Sequence, residues 1–212
     1  MAGNHAEIFP PSSAQRRILC PGSAVLERGR ERAPTSYASS GSATHKVAEW
    51  CLTEGTEAAA YIGRVISVDG FDNEVTAERA KRAQDYVDVV RDLHKAVGGE
   101  LLVEQKLPIA WLTKEAGAEG TGDAVIVGDK ELIVIDLKDG NKPVEAEFNP
   151  QLAIYLASAL EIHGLVNDFE TVRAVIVQPR HQSVREWVLP PDELRAWIAD
   201  NIVPAVEKVQ DA

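Results

Sequence analysis

Cysteine is scarce in this chain: Cys20 and Cys51 are the only two among 212 residues. Two thiols do not make a disulfide framework, and neither lies in a C-x-x-C pair, so zinc-ribbon and four-cysteine cluster ligand sets are missing. Both read as small buried hydrophobes. Long apolar runs are absent too, and none approaches the ~20 residues that span a bilayer. The opening MAGNHAEIFPPSSAQRR lacks the apolar core of a secretory signal, which predicts a cytosolic protein without a membrane partner. No G-x-x-x-x-G-K-[ST] loop is present, so any unwinding of a duplex would have to come from a partner. Positive charge is in short supply: 22 Lys and Arg stand against 33 Asp and Glu, a net charge of −11. That balance argues against a protein that coats nucleic acid through a uniformly basic surface. It leaves room for an enzyme that gathers carboxylates around cations, because a bound metal reverses the local sign.

What charge there is lies unevenly. Arg16, Arg17, Arg28, Arg30 and Arg32 cluster near Glu27 and Glu31, either as a local basic edge or as a solvated helix face. Residues 1–11 end in Pro10-Pro11 and read as a flexible lead-in, leaving 12–212 as a single domain. Ser12 or Ser13 caps a short helix that stops near Cys20-Pro21-Gly22, and the polar stretch 29–41 reads as a loop. From Ser42, apolar residues recur at helical spacing up to Gly55. A longer helix is predicted over 75–97. Strands follow at 101–107, 120–127 and 131–138, the last two forming a hairpin around Gly128-Asp129. Residues 149–163 form a helix with Asn149 as cap and Pro150 at its first position. A strand at 172–178 and an amphipathic helix from Pro191 to about Val209 end the chain. This order predicts an α/β or α+β fold with a central sheet flanked by helices.

One pattern in this frame points to chemistry. Asp136 and Lys138 share a strand face, while Ile135 and Leu137 point the other way. Charged groups at the end of an apolar strand are costly unless something needs them. Asp123 begins the partner strand, and a turn at Gly128-Asp129 brings positions near 123 and 136 across from each other, about 5 Å apart. Two carboxylates at that distance repel unless a cation lies between them. Phosphodiester hydrolysis needs such parts: hard oxygen ligands for a divalent cation, an activated water and a lysine to stabilise developing charge. Glu104 lies on the preceding strand. His45 and Glu49 are one turn apart on an early helix, and Gln151 and Tyr155 one turn apart on a later one. Each has a plainer reading: Glu104 as a surface carboxylate, Tyr155 as a core aromatic, Glu49 as half of an ion pair, His45 as a structural histidine.

Taken in order, Gly120-x-x-Asp123, Asp136-x-Lys138 and Gln151-x-x-x-Tyr155, with Gly41-Ser-Ala-Thr-His45 upstream, resemble the RecB-like branch of the PD-(D/E)XK nuclease superfamily, to which the lambda-type phage exonucleases also belong. The stretches SSAQRRILCPGSAVL, SGSATHKVAEWCL, DLKDGNKPVEAEFNPQLAIYL and VIVQPRHQSVREW are similar to an uncharacterised phage-encoded group within it. The resemblance implies a restriction-endonuclease-like core with a mixed sheet. It implies a Mg²⁺- or Mn²⁺-dependent deoxyribonuclease in phage DNA recombination or processing, and an exonuclease rather than an endonuclease. By position, Asp123 and Asp136 become metal ligands and Lys138 the catalytic lysine. The Leu137 carbonyl and His45 complete the shell, and Glu104 adds a further ligand. Glu49 stands behind them as an orienting group. Gln151 and Tyr155 contact the DNA backbone or brace the site, and Arg16 and Arg17 touch phosphate. Linear duplex DNA or its ends would be the substrate. A single-strand annealing protein and further copies of the chain would be partners, in the cytoplasm of a bacterial host. With two cysteines no iron–sulfur cluster is expected. Asp136 stands where many relatives carry Glu, which shortens the reach by one methylene. The competing reading is a weak or inactive nuclease-fold module that binds DNA or a recombination partner.

Overall fold

The structure is a computed structural model that describes residues 4–30 and 33–212. Glu31 and Arg32, at the end of the arginine-rich stretch, lie outside the described residues. The chain begins with β1 (Asn4–His5), then α1 (Ala14–Leu19), α2 (Ser23–Glu27) and α3 (Ser36–Glu54). A two-stranded hairpin, β2 (Val65–Val68) and β3 (Phe71–Glu74), leads into α4 (Ala77–Val97). Next come β4 (Glu100–Pro108), α5 (Ala110–Thr113), β5 (Ala118–Val127), β6 (Glu131–Leu137) and α6 (Pro150–His163). The chain closes with β7 (Thr171–Gln178), β8 (Ser183–Leu189), α7 (Pro191–Asn201) and α8 (Val203–Gln210). Among the described residues, no helix is long and apolar enough to cross a membrane.

The protein has a mixed α/β architecture, with one central sheet between two layers of helices. Strand β4 pairs antiparallel with β5, β5 with β6 and β7 with β8, while β6 and β7 run parallel across the α6 crossover. Leu132, Ile133, Val134 and Ile135 of β6 are all fully buried. That is the signature of a strand covered on both faces. One apolar cluster joins the sheet to α1, α6, α7 and α8, and the other joins it to α3 and α4. Each fully buried aliphatic side chain contributes about 1.5–3 kcal/mol, enough to hold a costly polar residue at the end of β6.

Several elements differ from expectation. Residues 6–9, expected to be flexible, are docked: the Glu115 carboxylate accepts the amides of Glu7, Ile8 and Phe9 at 2.7, 2.9 and 2.9 Å, and Phe9 is fully buried. Helix α3 begins at Ser36, inside the predicted loop, because the Thr35 side chain caps the Ala38 amide and Ser39 bonds the carbonyl of Val68. The hairpin β2–β3 and strand β8 were given no element by periodicity. The last predicted helix is two, α7 and α8, since Pro204 supplies no amide to continue the ladder. Cys51 is buried as expected, but Cys20 is exposed.

Candidate metal and phosphodiester site

The site forms where β5 loses its neighbour. Strand β5 pairs with β6 only over Ala124–Val127 and with β1 only at Ala118 and Glu119. Residues 120–123 therefore open an edge beside the end of β6. Continuing the register Ala124↔Ile135 by one rung sets Asp123 opposite Asp136, as the hairpin reading predicted. The Leu137 amide donates to Asp123 Oδ2 at 2.8 Å, tying the end of β6 to the middle of β5 rather than to its start, where Asp123 was expected.

On the other side of β5 the ladder is broken at the same level. Val103 pairs with Ala124 and Gln105 with Gly122, but the rung between them, Glu104 and Asp123, makes no pair. Glu104 has φ +52°, a left-handed backbone that costs a non-glycine residue about 1–3 kcal/mol. The inversion shows in the packing. Leu101 and Leu107 have the same parity, yet they join opposite apolar clusters. The Glu104 carboxylate thereby reaches a small cavity lined also by His45, Glu49, Tyr86 and Asp123. Strand periodicity alone could not have shown this.

Helix α3 carries His45 over Asp123, with Nδ1 3.2 Å from Oδ1. Burial opposes protonation of the imidazole, but Asp123, by charge and hydrogen bond, and Asp136 outweigh it and hold the pKa at about 9. Burial likewise opposes ionisation of Asp123, yet His45 and the Leu137 amide keep its carboxyl below the usual range. Asp136 moves the other way. Burial and the charge of Asp123 push it up against the pull of Lys138. Two neighbouring carboxylates with separated acidities are a mark of functional sites. Lys138 Nζ lies 2.7 Å from Asp136 Oδ2 and donates to Gln151 Oε1 at 3.0 Å. Burial disfavours the ammonium, but Asp136 more than compensates and raises its pKa. Asp136 Oδ2 is nonetheless buried without an aligned hydrogen-bond donor. Burial, together with Asp123 and Glu49, lifts Glu104 to about 7. Glu49 is held by Lys46 at 2.7–2.8 Å.

Helix α6 supplies the brace. Asn149 caps it by accepting the amides of Gln151 and Leu152. Gln151 Nε2 lies 3.4 Å from Asp136 Oδ1 and 3.5 Å from the Tyr155 hydroxyl, the latter a weak contact. Tyr155 is buried and its ring lies under Gly120, where an added Cβ would fall 2.5 Å from Cε1. This close approach explains the glycine of Gly120-x-x-Asp123. Of the two roles expected for Tyr155, contact with the DNA backbone or bracing, its burial suits the second. Arg17, expected to touch phosphate, is not free to do so. Its buried guanidinium is spent on the Ile8 carbonyl, Ser23 Oγ and Glu27. Arg16 is exposed but paired with Glu27 at 2.5 Å.

The sequence reading missed a second charged cluster behind the site. Asp139 is buried, accepts from Thr44 Oγ1 at 2.7 Å, and has Arg82 Nε and Arg180 Nε at 2.8 and 2.9 Å from Oδ1. Arg180 Nε also donates to the Asp139 carbonyl at 2.8 Å. Two open clefts, of about 470 and about 540 Å³, flank Lys138. One runs past Tyr37, His45 and Lys142, the other past Gln15, Phe148 and Gln151.

Among the described residues, no three His, Cys, Asp or Glu side chains stand ready-gathered around one point as a metal shell. The donors are nonetheless of the kind a hard divalent cation takes, since Asp123 and Asp136 lie on adjoining strands with His45 beside Asp123, and Asp136 Oδ2 is a buried oxygen without an aligned donor.

The sequence profile of the family described as "Protein of unknown function (DUF2800)" matches residues 5–211, and the chain belongs to that family. Among solved structures, the chain is similar to an alkaline exonuclease from Laribacter hongkongensis, at 14% identity and a TM-score of 0.33. The match covers 57% of this chain and 62% of the exonuclease, so the chain spans less than two thirds of that protein's length. SSO0001 is similar at 14% identity and a TM-score of 0.30, over 92% of this chain and 84% of that one.

Proposed function

We propose that the protein is a metal-dependent deoxyribonuclease of PD-(D/E)XK type that hydrolyses phosphodiester bonds, acting from DNA ends. The observation that carries this reading is the site itself: Asp123 and Asp136 on adjoining strands, with Lys138 beside Asp136 at the meeting of two open clefts. Asp123, Asp136, His45 and the Leu137 carbonyl would hold Mg²⁺ or Mn²⁺. When bound, the cation supplies Lewis-acid stabilisation of charge on the phosphoryl oxygens and promotes ionisation of the attacking water. The chain's own groups do the rest. To serve as a ligand, His45 would have to give up the proton that Asp123 holds on it, so metal binding would be coupled to proton release. Lys138, steadied by Gln151, donates toward the charge that develops on phosphate. Tyr155 and Gly120 keep Gln151 in place.

A second reading has an observation of its own. Both carboxylates already face internal cations, His45 and Lys138, as in a fold that has kept its architecture and binds DNA or a recombination partner without cutting.

Linear and circular duplex DNA, incubated with the protein and Mg²⁺ or Mn²⁺, separate the two. Cleavage of linear DNA by the wild type, falling about 10²–10³-fold in Lys138→Ala and Asp123→Ala, is the expected result. Equal cleavage by wild type and variants would remove these residues from the chemistry. DNA binding without cleavage would favour the second reading, and cutting of circles would favour an endonuclease.

A further inference from the structure

Phe148 is the residue that packing and catalysis leave unexplained. It is 56% exposed, and its φ of +56° is a conformation bulky residues rarely adopt. Relaxing such a backbone would recover about 1–3 kcal/mol, so the surroundings must hold it there. They do so from two sides. The next residue, Asn149, is fixed as the cap of α6, and the ring leans on Trp187 with centroids 5.4 Å apart and planes at 58°. Trp187 is itself buried and backed by Trp197 at 5.5 Å. The outcome is a rigid aromatic surface on the wall of the cleft that also contains Lys138 and Gln151.

The same wall carries Glu145 and Glu147. Glu145 is paired with Arg185 at 2.5 Å, but the carboxylates make this side of the cleft unfavourable for phosphates. A strand passing through would turn its phosphates toward Lys138 and its bases toward Phe148. Every base has a π-face, and stacking on an exposed aromatic is worth about 1–3 kcal/mol per base. A base is free to stack only where the duplex has opened.

We infer that Phe148 is a stacking platform for an unpaired nucleobase, so that the cleft beside Lys138 takes single-stranded DNA or a frayed end. The inference rests on the nuclease reading of the site and adds the form of its substrate. The ring touches a base and none of the reacting atoms, so it acts in binding and positioning.

The test uses the full chain in EDTA, where no cutting occurs. Single-stranded oligonucleotides of about 15 nucleotides carrying 2-aminopurine, and blunt duplexes of the same sequence, are titrated. Phe148→Asn is the principal variant, because Asn tolerates the left-handed backbone and removes only the ring. Phe148→Trp keeps a platform. Thermal melting confirms that both are folded. The expected result is quenching of 2-aminopurine by the wild type. In Phe148→Asn that quenching is lost and single-strand affinity falls roughly tenfold, with less than a twofold change for the duplex. Phe148→Trp should behave as the wild type. If Phe148→Asn binds and quenches like the wild type, the inference is overturned, and cleavage by the wild type in Mg²⁺ would leave the nuclease reading standing. If the wild type binds no single strand, the inference is overturned as well, and cleavage in Mg²⁺ decides the nuclease reading separately.

Discussion

Asp136 and Asp139 are three residues apart and both are buried, yet they occupy opposite kinds of surroundings. Asp139 is saturated: one carboxylate meets two guanidiniums and a hydroxyl. Asp136 is under-served: another carboxylate stands across from it and a single ammonium lies beside it. Burial is the same cost in each case. At Asp139 the fold meets that cost with fixed counter-charge and gains rigidity behind the loop that follows β6. At Asp136 one ammonium stands against a facing carboxylate, which leaves repulsion uncancelled. Burial alone would have ranked the two as equals, and the partners separate them.

The sharpest way to break this contrast is Asp139→Ala. Removing one partner of a buried charge cluster leaves Arg82 with only the exposed Glu78 and Arg180 with only the backbone carbonyl at 139. The expected loss is about 3 kcal/mol, at the lower end of the range for buried pairs because Arg180 is partly exposed. For a chain of this length that is roughly 6–12 °C in Tm, read by thermal melting. Asp136→Asn should cost much less, since it relieves repulsion with Asp123 as it loosens Lys138. If the two substitutions melt together, the distinction between a saturated and an under-served acid is wrong.

How much of this was legible in the sequence follows from the range of the interactions. The Asp123–Asp136 rung could be read because a short hairpin fixes its register locally, and Asn149 and Pro150 announced the start of α6. His45 could be placed only by resemblance. The Asp139 cluster could not be read, because Thr44, Arg82 and Arg180 arrive from α3, α4 and the turn after β7. No spacing along the chain records that meeting. The left-handed backbones of Glu104 and Phe148 were equally hidden, since neither residue type signals a positive φ. The docked lead-in carried one clue: Ile8 and Phe9, two adjacent large apolar residues in a segment otherwise without a periodic pattern.

The two regions also differ in what keeps them in shape. Counter-charge holds the Asp139 cluster, whereas the Asp123–Asp136 pair leans also on packing, through Tyr155 beneath Gly120. Gly120→Ala would place a methyl 2.5 Å from the Tyr155 ring. The expected cost is about 2 kcal/mol of stability from overpacking, with loss of cleavage as Gln151 shifts. Tyr155→Leu in the same chain should recover much of the stability but not the activity, and Tyr155→Phe neither, because the clash is with the ring. A double-mutant cycle by chemical denaturation measures the coupling.

The smallest effect tests the under-served side directly. Glu104 completes the acidic group around Asp123, and burial with that repulsion lifts its folded-state acidity from 4.5 to about 7. The folded protein therefore holds this proton more tightly than the unfolded chain. Its contribution to stability is complete below 4.5 and disappears as pH rises through about 7. Glu104→Gln keeps the shape and removes the titration. In EDTA it should match the wild type at about pH 4 and exceed it at about pH 8 by about 1 kcal/mol, a figure reduced because the carboxyl is partly exposed and screened. An equal difference at both pH values would mean that Glu104 bears no charge strain. The acidic wall would then be as well compensated as Asp139, and the contrast between the two regions would narrow to Asp136 alone.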